Sequence, residues 1–169
     1  METETIDKLL LKLKACTAAT DWTKDKSWKE IYETCHRGDW LLWLFTRTNP
    51  EDLQLLALAK GHCANTVRHL MKDERSIKAV DAAISFGEGK ITINELHDFA
   101  DAADADAAAY AADAAAYADA AYAADAYAAN VADAAAYAAA YAAAKKENQL
   151  LTANICRKYL PIEIWKLNQ

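Results

Sequence analysis

The stretch "DAADADAAAYAADAAAYADAAYAADAYAANVADAAAYAAAYAAA", residues 101–144, decides the fold. Of its 44 residues, 29 are alanine, seven aspartate and six tyrosine, and no glycine or proline interrupts them. Alanine loses no side-chain entropy in a helix and heads the propensity scale, so the segment reads as helix. A five-residue β-solenoid repeat fits poorly. The tyrosines recur at spacings of 7, 5, 5, 10 and 4, and the regular central leucine or phenylalanine is missing. An ice-binding alanine helix needs regularly placed threonine, and the segment has none.

A straight helix of this length would extend about 66 Å, at about 1.5 Å per residue. A compact chain of this size is only about 40 Å across. The segment is therefore expected to fold back as a helical hairpin. Its break is placed near residues 130–133, because Asn130 is the residue there that most readily adopts a left-handed cap.

On a wheel of about 100° per residue, Asp106, Tyr110, Asp113 and Tyr117 fall within about 60° of one another, each aspartate four residues before a tyrosine. Tyr122, Tyr127 and Tyr137 fall elsewhere, so the stripe is local. One reading is packing, with tyrosines filling space between close-set helices and aspartates facing water. The other is recognition. Tyrosine is enriched at binding hot spots and acidic groups steer basic partners, which makes Asp106, Tyr110, Asp113 and Tyr117 the candidate partner-binding residues.

Charge follows the same division. The net charge of −6 is −7 from residues 101–144 offset by +1 elsewhere. No broad basic surface is left for nucleic acid, whereas a partner with a basic surface would be drawn to the acidic segment. The opening "METETIDKLLLKLKAC" lacks the unbroken apolar run of a signal peptide and is too charged to span a bilayer, so a cytoplasmic protein without a membrane partner is expected. Cys16, Cys35, Cys63 and Cys156 form no CxxC pair and read as reduced, packed thiols.

Working outward, residues 3–17 carry Ile6, Leu9, Leu10 and Leu13 on one helical face, and the polar "DWTKDKS" follows. Ser27 with Glu30 has capping-box spacing and opens a helix toward the apolar block Trp40, Leu41, Trp43, Leu44 and Phe45. Gly38 either ends a short helix or occupies a close-packed turn. Thr48 or Asn49, then Pro50 at the first helical position, starts the next helix, with Leu53, Leu56, Ala57, Cys63, Ala64, Val67, Leu70 and Met71 on its buried side. A helix over residues 73–86 stops at "GEGK". Thr92 with Glu95 caps the helix leading into the alanine-rich segment. Beyond Lys145 and Lys146, Leu150, Leu151, Ile155 and Tyr159 mark a last helix, ended by Pro161 before the tail "IEIWKL".

Three constellations invite chemistry. His62, Asn65, Thr66, His69 and Asp73 share a helix side, but no nucleophile or phosphate loop accompanies them, and a solvated polar face explains them. Cys35–His36 and His62–Cys63 number enough ligands for zinc, yet helical neighbours point about 100° apart and neither pair chelates. Arg37, Asp39, Trp40 and Trp43 are more specific: two indoles on one apolar face beside an arginine and an aspartate form either a core corner or the lining of a pocket. With Arg68 and His69 they are the candidate ligand-pocket residues, supplying stacking and anion contacts to a nucleotide-like small molecule.

The segments "SWKEIYETCHRGDWLLWLFTR", "LALAKGHCANTVRHLM", "ERSIKAVDAAISFGEGKITINEL", the Ala/Asp/Tyr tract and "ICRKYLPIEIW" resemble, in this order, the immunity proteins of bacterial polymorphic toxin systems, alanine-rich helical proteins also found in phages. The resemblance covers nearly the whole chain from about Lys14. It is sharpest at Arg37-Gly38-Asp39-Trp40 with Trp43 and at the turn Phe86-Gly87-Glu88-Gly89. Phe86 stands where the family has tryptophan, and His62 where a small residue is usual. The resemblance implies a non-enzymatic binding protein.

The expected architecture is a single all-α domain over residues 1–169, of six to eight helices. Residues 1–100 form mixed-composition helices, 101–144 the alanine-rich hairpin, and 145–169 a C-terminal helix and tail. Trp40, Trp43, Val67, Leu70, Ile84, Phe86, Leu96, Ile155 and Tyr159 are its expected core. The expected function is neutralisation of a cognate protein toxin or effector by direct binding, without cofactor, metal or catalytic residues. The alternatives are a phage counter-defence protein or sponge for a nucleotide-like signal, and a homo-oligomer built from packed alanine hairpins.

Overall fold

The computed structural model describes residues 6–71, 74–102, 131–165 and 167, with the backbone alone for 100–102 and 131–142. Among the described residues the fold is all-α. Eight helices run α1 (Ile6–Lys12), α2 (Thr17–Thr23), α3 (Trp28–Thr34), α4 (Gly38–Thr48), α5 (Leu53–Asn65), α6 (Glu74–Gly87), α7 (Ile93–Ala102) and α8 (Val131–Tyr159). Short 3-10 turns cover Arg68–Leu70 and Ile162–Ile164. None of the described helices is long and apolar enough to cross a membrane.

The helix expected over residues 3–17 stops at Lys12, and a second helix, α2, runs from Thr17 to Thr23 into the stretch read as polar. After α1, the Lys14 N–H donates to the Leu11 carbonyl (3.0 Å) and the Ala15 N–H to the Leu10 carbonyl (2.9 Å), the paired bonds of a Schellman stop, with Lys14 in the left-handed position at φ +59°. Asp25, also left-handed at φ +62°, follows the end of α2. Both expected capping boxes are present. Ser27 Oγ accepts from the Glu30 N–H (3.2 Å) while the Glu30 carboxylate accepts from the Ser27 N–H (2.7 Å), and Thr92 and Glu95 repeat the exchange at 3.3 and 2.7 Å. These bonds hold both carboxyls below the ordinary glutamate range.

Helix α5 starts at Leu53 rather than Pro50. Asn49 ends α4 instead, its N–H donating to the Phe45 carbonyl (2.8 Å), and its fully buried side chain donates to Asp52 Oδ2 and to the Ile164 carbonyl, both at 2.9 Å. One amide thus ties the α4–α5 corner to the C-terminal tail.

Helix α8 runs without interruption from Val131 to Tyr159, so the end of the alanine-rich segment and the expected last helix are one element. Residues 131–133 are helical and Lys145 and Lys146 introduce no break, because no glycine or proline lies between Val131 and Pro161. Asn130 and the bend of the expected hairpin lie outside the described residues. The C-terminal part of α8 buries Gln149, Thr152, Ala153 and Cys156 on one face, against α4 and α5. Close approach is possible because Gly38 begins α4 there: a Cβ on Gly38 would lie 2.5 to 2.7 Å from Thr152 Oγ1, C and Cβ. Helices α5 and α6 pack similarly, Gly61 against Ile84 and Gly87 against Leu58.

The centre of the core differs from expectation. Phe45, Ala59, Cys63, Thr152, Ala153, Leu160 and Asn49 are its most enclosed residues. Of the expected set only Phe86 is buried; Trp40, Trp43, Val67, Leu70, Ile84, Leu96, Ile155 and Tyr159 are half-buried. Trp28, Tyr32, Phe45 and Trp165 supply the aromatic packing instead, with Trp165 centred 4.8 Å from Trp28 and 5.0 Å from Phe45. The tail is therefore part of the core, fixed by the Trp165 Nε1–H bond to the Leu160 carbonyl (2.9 Å).

Candidate functional site

The start of α4 faces α1 and α2 across a cleft of about 280 Å³. Its walls are mostly apolar: Ile6 and Leu10 from α1, Ala19 and Trp22 from α2, Ile31 from α3, and Trp40, Leu41, Trp43 and Leu44 from α4, with Lys14 and Cys16 between α1 and α2. Ala15, Thr23, the buried Cys35, Arg37 and Asp39 complete the lining.

Arg37 immediately precedes α4 with extended backbone, which lets its side chain fold over the first turn. Its Nε–H donates to Asp39 Oδ1 (2.7 Å) and its Nη2–H to Asp39 Oδ2, a side-on bidentate pair. The Asp39 carboxylate raises the guanidinium pKa still further, so Arg37 is a permanent cation. Asp39 is 4% exposed, and burying this charge requires the partner it has. The Arg37 carbonyl accepts from Cys35 Sγ (3.4 Å), and burial pushes the Cys35 thiol up.

The guanidinium lies 4.7 Å from the centre of the Trp40 ring. Trp22 is 6.0 Å from Trp40, and His36 lies 6.0 and 6.4 Å from these two indoles. Lys26 sits 3.7 Å over the Trp22 ring and Arg47 5.9 Å from that of Trp43. The result is a cluster of indoles whose faces carry protein cations.

Four of the six residues expected at a ligand pocket, Arg37, Asp39, Trp40 and Trp43, line this one cleft. Arg68 and His69 do not. Arg68 is drawn to Asp81 of α6 in its own bidentate pair (Nη2 to Oδ2 2.8 Å, Nη1 to Oδ1), which holds the Asp81 carboxyl below its usual range. His69 is exposed on the 3-10 turn that ends the α5 region. Trp22 and Lys14 are the residues missed by sequence reasoning; an indole within the lysine-rich "DWTKDKS" was the available signal, being a large apolar surface that must be covered. Asp106, Tyr110, Asp113 and Tyr117 lie outside the described residues.

The other constellations are occupied structurally. His62 stacks on Tyr159 with ring centres 4.3 Å apart and planes at 5°. Thr66 donates to the Cys63 carbonyl (2.7 Å) and Asn148 Oδ1 (3.0 Å). Cys63 and Cys156 meet between α5 and α8, where hydrogen bonding to Cys63 and burial push the Cys156 thiol well up. Asp73 lies outside the described residues.

No protein-family model matches the chain, and no curated protein or solved structure matches it.

Proposed function

We propose that this is a non-enzymatic binding protein of immunity type, which neutralises a cognate protein toxin or effector by direct contact in the cytoplasm of a bacterium or a phage-infected cell. The observation that carries the reading is the convergence of Arg37, Asp39, Trp40 and Trp43. The residues where the resemblance to immunity proteins is sharpest line one open cleft, and their charged pair is mutually neutralised, an arrangement suited to binding. The −7 charge of residues 101–144 supplies the second element, attraction of a basic partner, with Asp106, Tyr110, Asp113 and Tyr117 as contacts.

The test is an affinity pull-down of the tagged protein from cells of its own source, read for proteins and for co-purifying small molecules. A stoichiometric protein partner whose affinity falls when Asp106, Tyr110, Asp113 and Tyr117 are all changed to alanine supports the reading; unchanged affinity removes the surface assignment, and absence of any protein partner removes the reading.

Sequestration of a nucleotide-like signal is a second reading, suggested by the indole walls of the same cleft, which at about 280 Å³ has room for a base but not for its sugar and phosphate chain. It has lost Arg68 and His69 as anion contacts. No shift in melting temperature across a panel of nucleotides would dismiss it.

A further inference from the structure

The cleft carries a more specific chemistry than either reading. We infer that it is a binding site for a small aromatic carboxylate, whose rings lie among Trp22, Trp40 and Trp43 and whose acid group rests on Arg37.

Size and wall chemistry set the body of the ligand. At about 280 Å³ the cleft lies at the lower edge of small-molecule sites, which run from about 300 to 1,000 Å³. A body of one or two fused rings fits such a space, and indole walls favour flat apolar groups through offset stacking and edge contacts. A base, sugar and phosphate chain would exceed it.

Charge sets the head group. An aromatic cage for a cation needs free indole faces, but Lys26 already occupies Trp22, Arg37 occupies Trp40, and Arg47 approaches Trp43. Asp39 is the one carboxylate in the lining and both its oxygens are engaged by Arg37, so the two charges offset each other and a cationic ligand finds no open acid on the wall. Lys14 adds a further positive charge to the wall. The field at the cleft therefore favours an anion.

Arg37 is pre-organised to receive one. Asp39 fixes its Nε/Nη2 edge and the Trp40 ring supports its plane. Its Nη1 hydrogens and the second Nη2 hydrogen have no partner among the described residues, and the side chain remains 25% exposed. The end-on pair of Nη1–H and Nη2–H matches the two oxygens of a carboxylate. One such edge suits one acid group, and because Asp39 has already ordered the side chain, little further freedom is lost on binding. The inference shares this cleft with the toxin reading, but its test is separable from it, since it uses no residue of the acidic segment and needs no protein partner.

Cys16 provides the readout. It lines the cleft and is the exposed cysteine, whereas Cys35, Cys63 and Cys156 are buried. The full-length protein is titrated with 2-naphthoate, 2-naphthalenemethanol and 2-naphthylmethylammonium, following tryptophan fluorescence and the rate of Cys16 modification by a thiol-reactive disulfide reagent. Naphthoate is expected to quench fluorescence and protect Cys16, binding about tenfold or more tighter than the alcohol, with the ammonium compound weakest. Because Arg37→Gln alone would leave Asp39 buried and unpaired, the charge is removed with the neutral pair Arg37→Gln/Asp39→Asn, which should abolish the preference for the acid. Trp22→Leu, which leaves the ion pair intact, should weaken all three probes. Failure of naphthoate to protect Cys16 at millimolar concentration, or equal binding of acid and ammonium, overturns the assignment.

Discussion

Tyr32 and Arg157 cap each other's helices. The Arg157 guanidinium donates to carbonyls at the end of α3, from Nε to Tyr32 (2.8 Å) and from Nη2 to Cys35, while Nη1 reaches Asn154 Oδ1 (2.9 Å). The Tyr32 hydroxyl, in return, is shared between the carbonyls of Arg157 (3.1 Å) and Leu160 (3.2 Å) at the end of α8. Each helix leaves orphan acceptors at its C-terminus, and here each supplies the donor for the other. The arrangement joins two segments 125 residues apart. Burial raises the Tyr32 phenol above its ordinary value, which keeps it a donor across the physiological range.

This exchange predicts unequal losses. Arg157→Met removes a charge-assisted set of bonds and should destabilise the protein by about 2–3 kcal/mol, whereas Tyr32→Phe should cost about 1 kcal/mol. The two residues share one junction, so the double variant should fall short of the sum by about 0.5 kcal/mol or more in urea unfolding. Strict additivity would show that the two caps act independently.

Gly38→Ala should destabilise by about 2–4 kcal/mol, since the new Cβ would overlap Thr152 within a packed interface between α4 and α8. Two of the atoms it meets are the Thr152 side-chain Oγ1 and Cβ, but a third is its backbone carbon at 2.6 Å. Shortening the side chain cannot remove that clash, so Thr152→Ala should not restore the Gly38→Ala variant. Thermal melts of the single and double variants decide the matter.

Lys14→Gly should act in the opposite direction. A left-handed residue with a Cβ is strained by about 1–2 kcal/mol, and the greater unfolded-state freedom of glycine offsets about 0.5–1 kcal/mol of the relief. A net gain of about 0.5 kcal/mol is expected at the Schellman stop after α1, read as a higher urea midpoint.

Thiol chemistry should divide the cysteines sharply. In native protein only Cys16 should react promptly with a thiol-reactive disulfide; Cys35, Cys63 and Cys156 should appear only after denaturation. Their burial limits access, and the raised Cys35 and Cys156 values suppress the thiolate as well. Prompt native reaction of Cys63 or Cys156 would contradict the packing of α5 against α8.

How far the fold was legible follows from where the chain carries punctuation. Both capping boxes and the "GEGK" stop were readable because they use residues with one local role: hydroxyl, carboxylate three residues on, and Gly89 at φ +72°. The stops at Lys14 and Asp25 were not, since no glycine occurs before Gly38 and the left-handed positions there fall to ordinary residues. The tail was misjudged for another reason. "IEIWKL" shows no long period, and its place in the core comes from long-range partners, the Ile164 carbonyl to Asn49 and Trp165 to Trp28 and Phe45. At the cleft, the Arg37–Trp43 stretch was visible because its residues are close in sequence. The separation of Arg68 was invisible because its partner, Asp81, belongs to another helix.

His62 gives the fold a defined response to acid. It lies flat on Tyr159, and burial lowers its pKa below the ordinary 6.5, with repulsion from Lys158 adding to this and attraction to Glu88 offsetting part of it. As pH falls, the unfolded chain therefore takes up the proton first, and protonation favours unfolding. The contribution of His62 is fully present above about 6.5, declines as pH falls through the lower folded value, and stays lost below it. Urea midpoints measured from pH 7.5 to 5 should fall, and His62→Phe, which keeps an aromatic ring against Tyr159, should make that fall shallower. An NMR titration should place the His62 imidazole below a free histidine. An unchanged pH slope in His62→Phe would show that the stacked ring is not what senses the proton.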